Sequence, residues 1–247
     1  MLTEPIVQQL QALRLRGMAH ALELQKHQPD LAHLSFEDRL GLLLAHETAE
    51  RQSQRLHQRL RWARLPQPAS LEDIDTRTPR GIERGTFARI SSLSWLDEHL
   101  NTLIIGATGM GKSYLACAIA HQACRNDLRV RYFRIARLAD ELARVTALQR
   151  KSAFLRQIAA VDLLVLDDFG LGALADTTQR DLLEILDDRY DKKSTLVTSQ
   201  LPVDQWHATF ADPTIADAVL DRLVHNAYRL VLKGESMRKK KQIKDGS

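Results

Sequence analysis

The stretch GATGMGKS, residues 106–113, places Gly106, Gly111, Lys112 and Ser113 at the spacing G-x-x-x-x-G-K-[ST]. Those residue types dictate a chemistry. Glycines let backbone N–H groups close on a polyphosphate, a lysine reaches the β- and γ-phosphates, and the adjacent hydroxyl ligates Mg2+. Ala107, Thr108, Gly109 and Met110 fill the loop and Tyr114 follows it, so residues 106–114 are the candidate ATP site. The acidic half is LLVLDDFG, residues 163–170. An apolar strand ending in an acid puts the carboxylate at the C-terminal edge of a parallel sheet, beside the phosphates. Asp167 is therefore the candidate Mg2+ ligand with Ser113, and Asp168 is the candidate group that polarises the attacking water. The tripeptide DFG at 168–170 also occurs in protein kinases, but here no H-R-D loop or kinase glycine-rich loop accompanies it.

Such a loop works only between a strand and a helix, and the flanks supply both. TLII (102–105) precedes it and YLACAIAHQAC (114–124) follows it. Further apolar runs at 130–133 (VRYF), 161–166 (VDLLVL), 195–198 (TLVT) and 229–232 (RLVL) are separated by helical stretches. This is the pattern of an α/β domain with a parallel five-stranded sheet and crossover helices. One strand lies between the phosphate loop and the acidic strand, and a second acid follows Asp167. Both features fit ATPases that carry their catalytic acid on that strand. The N-K-x-D motif of GTPases is absent, and nothing in the chain reads the acceptor of a small-molecule kinase.

Residues 1–65 read as an all-helical N-terminal domain. Apolar residues at 6, 7, 10, 13, 15, 18, 22 and 24 form a helical stripe. SFED offers Ser35 as an N-cap with Asp38 three residues on, and Pro66 stops the helix that follows. PQPASLEDIDTRTPRG, 66–81, is the linker, 82–233 the ATPase domain and 234–247 a basic tail. The chain of 247 residues has a net charge of only +4, but the charge is uneven. Arg51, Arg55, Arg59, Arg61 and Arg64 occur in a stretch without an acid, and seven basic residues between 228 and 244 face the single Glu235. Two basic clusters point to a polyanion, and the 51–64 arginines are the candidate DNA contacts. Cys117 and Cys124 fall seven apart on one helix, too far for a disulfide. The histidines show no zinc spacing. The N-terminus lacks the pattern of a signal peptide and no apolar run is long enough to span a membrane, so a cytoplasmic location is expected.

Over nearly its whole length the sequence resembles the IstB-type ATPases, helpers of transposition in IstA/IstB insertion sequences. The blocks that carry the resemblance are LRLRGMAHAL, HETAERQSQRLHQRLRWARLP, NTLIIGATGMGKSYLACAIAHQAC, DLLVLDDFG, STLVTSQLP, LDRLVH and KGESMRK. DnaC-like helicase loaders and DnaA-like initiators are the next relatives, all AAA+ P-loop NTPases. The resemblance implies ATP hydrolysis, with Gln200 at the sensor 1 position and Arg222 as an arginine offered to a neighbouring subunit's nucleotide. It implies a homo-oligomer with nucleotide at subunit interfaces, assembly on double-stranded DNA, and a cognate IstA-like transposase as partner. Two departures stand out. Asp168 occupies a position where the family usually has Glu, and about 15 residues after the last strand are too few for the helical lid of AAA+ proteins, which leaves Arg238 without an assigned role. The alternative is a DnaC-like loader of a replicative helicase, which would need a helicase-docking element and prefer single strands.

Overall fold

A computed structural model describes residues 3–28, 31, 33–75, 81–234 and 237. The chain divides into two compact units, Met1–Gln58 and Arg59–Ser247, a division earlier than the 65/66 break read from Pro66. Residues 76–80 of the expected linker, and all of the basic tail except Gly234 and Met237, lie outside the described residues; so does Arg238.

The first unit contains α1 (Thr3–Ala12), α2 (Arg16–Lys26) and most of α3 (Phe36–Ala63). The apolar stripe over 6–24 suggested one continuous helix. The chain instead breaks between α1 and α2, where Arg14 takes a left-handed φ of 61°. No glycine or proline marks that break, so the stripe alone could not locate it. α3 starts as SFED predicts: Asp38 N donates to Ser35 Oγ at 3.1 Å. It ends at Ala63, and Arg64 follows with a φ of 55°.

Glu47, on α3, is nearly buried and performs a task the sequence did not reveal. Its Oε2 accepts from Gly17 N at 2.8 Å and from Met18 N at 3.2 Å, in the first turn of α2. Those N–H groups have no partner inside their own helix, so a carboxylate from α3 caps α2. Arg51 Nε donates to Glu47 Oε1 at 2.6 Å and, with those backbone bonds, holds the carboxyl below its ordinary range. The close approach requires Gly17: a Cβ there would lie 2.7 Å from both Glu47 Cα and His46 O.

The second unit adds α4 (Arg84–Ser92), α5 (Ser94–Asp97), β1 (Asn101–Gly106), α6 (Lys112–Arg125), β2 (Val130–Arg134), α7 (Ile135–Ala147), α8 (Lys151–Ala159), β3 (Leu163–Phe169), α9 (Asp176–Arg189), β4 (Ser194–Ser199), α10 (Pro213–Val224) and β5 (Ala227–Leu232). The strands form one parallel sheet in the order β2-β3-β4-β1-β5, the five-stranded α/β architecture expected. Leu103 and Ile104 of β1 and Leu163 to Leu166 of β3 are fully buried, as strands covered on both faces must be. All the strands run the same way, so the loops at their C-terminal ends share one edge of the sheet. β3 begins two residues later than its apolar run, because Val161 and Asp162 belong to the preceding turn.

Cys117 and Cys124 are free and buried, and burial pushes their thiols up to about 12 and about 11. Arg189 is also buried. Its guanidinium donates to the carbonyls of Ile158 (3.0 Å), Val161 (2.8 Å) and Ser194, tying the end of α8 to the turns around β3 and β4. No helix among the described residues is long and apolar enough to cross a membrane.

Candidate nucleotide site

β1 delivers the phosphate loop to the C-terminal edge. Gly106 is in register with Leu232 of β5, and a Cβ at Gly106 would come within 2.7 Å of Leu232 O. Gly109 and Gly111 have φ of 84° and 87°, values that side chains disfavour. Met110 is buried, Ala107 and Thr108 are exposed, and Tyr114 is half-buried on the first turn of α6. Lys112 opens α6 and is itself buried. Its Nζ donates to Gly106 O at 2.6 Å and Ala107 O at 3.0 Å, so the loop curls around its own cation.

Two strands away, β3 delivers the acids. Asp167 is fully buried. Its Oδ1 accepts from Ser113 Oγ at 3.0 Å and from the Thr198 hydroxyl, and its Oδ2 accepts from the Tyr132 phenol. Burial and that bond to Asp167 raise the Tyr132 pKa and keep the phenol protonated. Ser113 and Asp167 are thus in direct contact, the oxygen pair expected for Mg2+. Among the described residues no group of three or more His, Cys, Asp or Glu side chains could hold a metal. A hydroxyl and one carboxylate fit Mg2+, which keeps several waters and takes its other ligands from phosphates.

Asp168 takes a left-handed φ of 61°, and the pairing of β3 with β4 slips between Leu166 and Phe169. In a regular strand, consecutive side chains point to opposite faces. The bulge breaks that alternation and re-aims Asp168. Its backbone N–H donates to Thr198 Oγ1 at 3.1 Å. Burial first, then the charge of Asp167, raise its pKa. Gln200 follows β4, which lies between β1 and β3, so it stands between the loop and the acids. Its Oε1 accepts from Thr108 Oγ1, and its side chain lies beside the Asp168 carboxylate and favours its charged form. Residues 106–113, Asp167, Asp168 and Gln200 therefore converge on one place.

The family model for IstB-like ATP binding proteins matches residues 8–245. The chain belongs to that family. A Sinorhizobium fredii protein named for an insertion sequence and for ATP binding (y4pL) is 45% identical over 244 residues, 99% of this chain and 100% of that one. Among solved structures, DnaI superposes with a TM-score of 0.58 at 22% identity, over 67% of this chain and 91% of that chain. A DnaA from Aquifex aeolicus with AMPPCP bound gives 0.59 at 20% identity, over 74% of this chain and 56% of that one. The fold is that of an AAA+ P-loop NTPase, and ATP binding is the property the family carries.

The arginines of this IstB-like chain are placed differently from its acids. Arg222 does not join its own nucleotide site. It lies near the end of α10, and its carbonyl accepts from Asn101 Nδ2 at 2.7 Å, at the start of β1. The six residues of β1 separate it from the phosphate loop, about 17 Å along the strand. Its guanidinium pairs with Asp187 (2.7 Å) and Asp221 (3.4 Å).

The arginine row of α3 is not a uniformly open face. Arg51 is tied to Glu47. Arg59 is half-buried, with Nη2 against Asp127 and Nε donating to Cys124 O at 2.9 Å, at the C-terminus of α6. Arg51 and Arg59 thus each have an acid beside them within the chain. Arg55, Arg61 and Arg64 are exposed. Three residues around the acids carry no sign in the sequence: Tyr132, Thr198 and Arg134. None carries a local signal, because their roles depend on β2 and β4 flanking β3.

Proposed function

We propose that this chain is an ATP-hydrolysing helper of DNA transposition that assembles on duplex DNA and engages its transposase in the ATP-bound state. The observation that carries this is the division of labour across the sheet. The C-terminal edge gathers loop, cation site and candidate base in one protomer, while Arg222 stands at the opposite edge. An arginine needed for hydrolysis but unable to reach its own nucleotide makes turnover depend on a neighbouring copy. The insertion-sequence name of the Sinorhizobium relative supports the transposition context.

In this reading Lys112 turns from the loop carbonyls to the β- and γ-phosphates, and the loop amides close on them. Ser113 and Asp167 would hold Mg2+, which when bound would supply positive charge to the phosphates. Asp168 accepts a proton from the attacking water, and Gln200 fixes that water against the γ-phosphate. Arg222 of the adjoining copy stabilises the transferring phosphoryl group. Hydrolysis removes the contact that links copies, so ATP limits the lifetime of the assembly on DNA. The exposed Arg55, Arg61 and Arg64 supply phosphate contacts, independent of sequence.

The test is duplex binding measured with ATP, a non-hydrolysable analogue and ADP. The analogue should give the longest-lived complex and ADP the shortest. Lys112→Ala should lose nucleotide binding and nucleotide-dependent assembly together. Arg55→Ala with Arg61→Ala should weaken duplex binding for all sequences and flatten the salt slope by about two units, with nucleotide affinity unchanged. An unaltered slope assigns these arginines to a protein partner instead.

A further inference from the structure

Arg134 sits at the C-terminal end of β2, directly across from Asp167 in the ladder. Its side chain is 59% exposed, and its Nε lies 4.0 Å from Asp167 Oδ2. That separation is too long for a hydrogen bond, and no hydrogen bond from the guanidinium to a described residue forms. Asp167 does not need it, because three hydroxyls already satisfy the carboxylate. The residue therefore presents five donors and a full charge at the lip of the site, without a committed acceptor. It is also the N-cap of α7, whose first turn contains no acid and receives no side-chain cap. The unpaired amides of that helix add positive potential at the same point.

Strand order sets which phosphate this group would meet. With the loop on β1 closed on the inner phosphates and the cation held by Ser113 and Asp167, the chain of phosphates would extend toward β3. β2 lies beyond β3, farther from the loop. Two strand spacings, about 10 Å, separate β1 from β3. A guanidinium anchored on β2 thus approaches from the outer side, where only a terminal γ-phosphate extends. Lys112 faces the same acids from the inner side, so two cations and two carboxylates surround the position.

We infer that Arg134 is a ligand of the γ-phosphate supplied by the same protomer, which makes the site distinguish ATP from ADP before any second copy arrives. The inference rests on the ATP-site reading above and adds to it. Binding moves the guanidinium off the edge of Asp167 and onto a phosphate oxygen. Nucleotide state is then registered at the start of α7 as well as at Gln200.

The experiment measures equilibrium affinity for fluorescent AMPPNP and fluorescent ADP, each with Mg2+, in wild type, Arg134→Ala, Arg134→Lys and Lys112→Ala. Arg134→Ala should weaken the triphosphate about tenfold and leave the diphosphate within about twofold, the loss of one charge-assisted hydrogen bond. Arg134→Lys, which keeps the charge but not the fork, should recover part of the difference. Equal losses for both nucleotides would show that Arg134 acts only through Asp167 and the cation, and would overturn the proposal. So would no loss for either. Lys112→Ala separates the two levels of the argument: wild-type affinity in that variant overturns the site itself, whereas its loss beside an indifferent Arg134→Ala overturns Arg134 alone.

Discussion

The two ends of the β-sheet differ in how their polar side chains are satisfied. At the C-terminal end, Lys112, Ser113, Asp167, Thr198 and Gln200 bond one another or the phosphate loop, and Asp167 is fully buried. At the opposite end, Arg222 is one-third exposed and pairs with two acids that are themselves about half exposed. The first arrangement is pre-organised and works within one chain. The second is a surface pair worth little by itself, so it yields readily to a stronger acceptor. A trans-acting group should have that character: held well enough to keep the arginine in place, loosely enough to release it.

The sharpest way to break this contrast is Arg222→Ala. It should leave ATP affinity unchanged and slow hydrolysis on the order of a thousandfold, the range of arginines that complete a phosphoryl-transfer site. Adding Lys112→Ala protomers, which keep the arginine but lose the nucleotide, should restore part of the turnover. No rescue in proven mixed assemblies would reduce Arg222 to a surface ion pair.

Asp168→Asn tests the other end and should cost about a hundredfold in turnover, the usual contribution of a general base, with ATP still bound and the DNA complex prolonged. Wild-type turnover would mean that the re-aimed carboxylate does not activate water. The smallest effect belongs to Asp187→Asn. Loosening the exposed pair should lower the protein concentration for half-maximal hydrolysis by no more than about fivefold. An increase instead would show that Asp187 orients Arg222 for its neighbour.

What the sequence disclosed follows the same division. The phosphate loop was legible because its backbone demands glycine at fixed spacing, and the strands because both faces are buried. The sheet class followed from the alternation of elements. The surroundings of Asp167 were not legible: Tyr132, Arg134 and Thr198 matter only because β2 and β4 flank β3, and strand order is not written locally. Arg59 looked like a solvent cation because its partner, the Cys124 carbonyl, is 65 residues away in sequence. Glu47 looked like one more surface acid of α3, although two N–H groups of α2 depend on it. The break at Arg14 had no sequence signal at all.

Gly106 bears a second constraint. Its neighbour across the sheet, Leu232, leaves no room for even one extra carbon. The first letter of the phosphate-binding motif is thus demanded by folding and the last letters by chemistry. A mutational scan selected only for folded, abundant protein should reject every change at 106 yet accept many at Ser113. The same scan selected for ATP binding with Mg2+ should reject both. The difference between the two scans, position by position, would separate what the motif owes to architecture from what it owes to ATP.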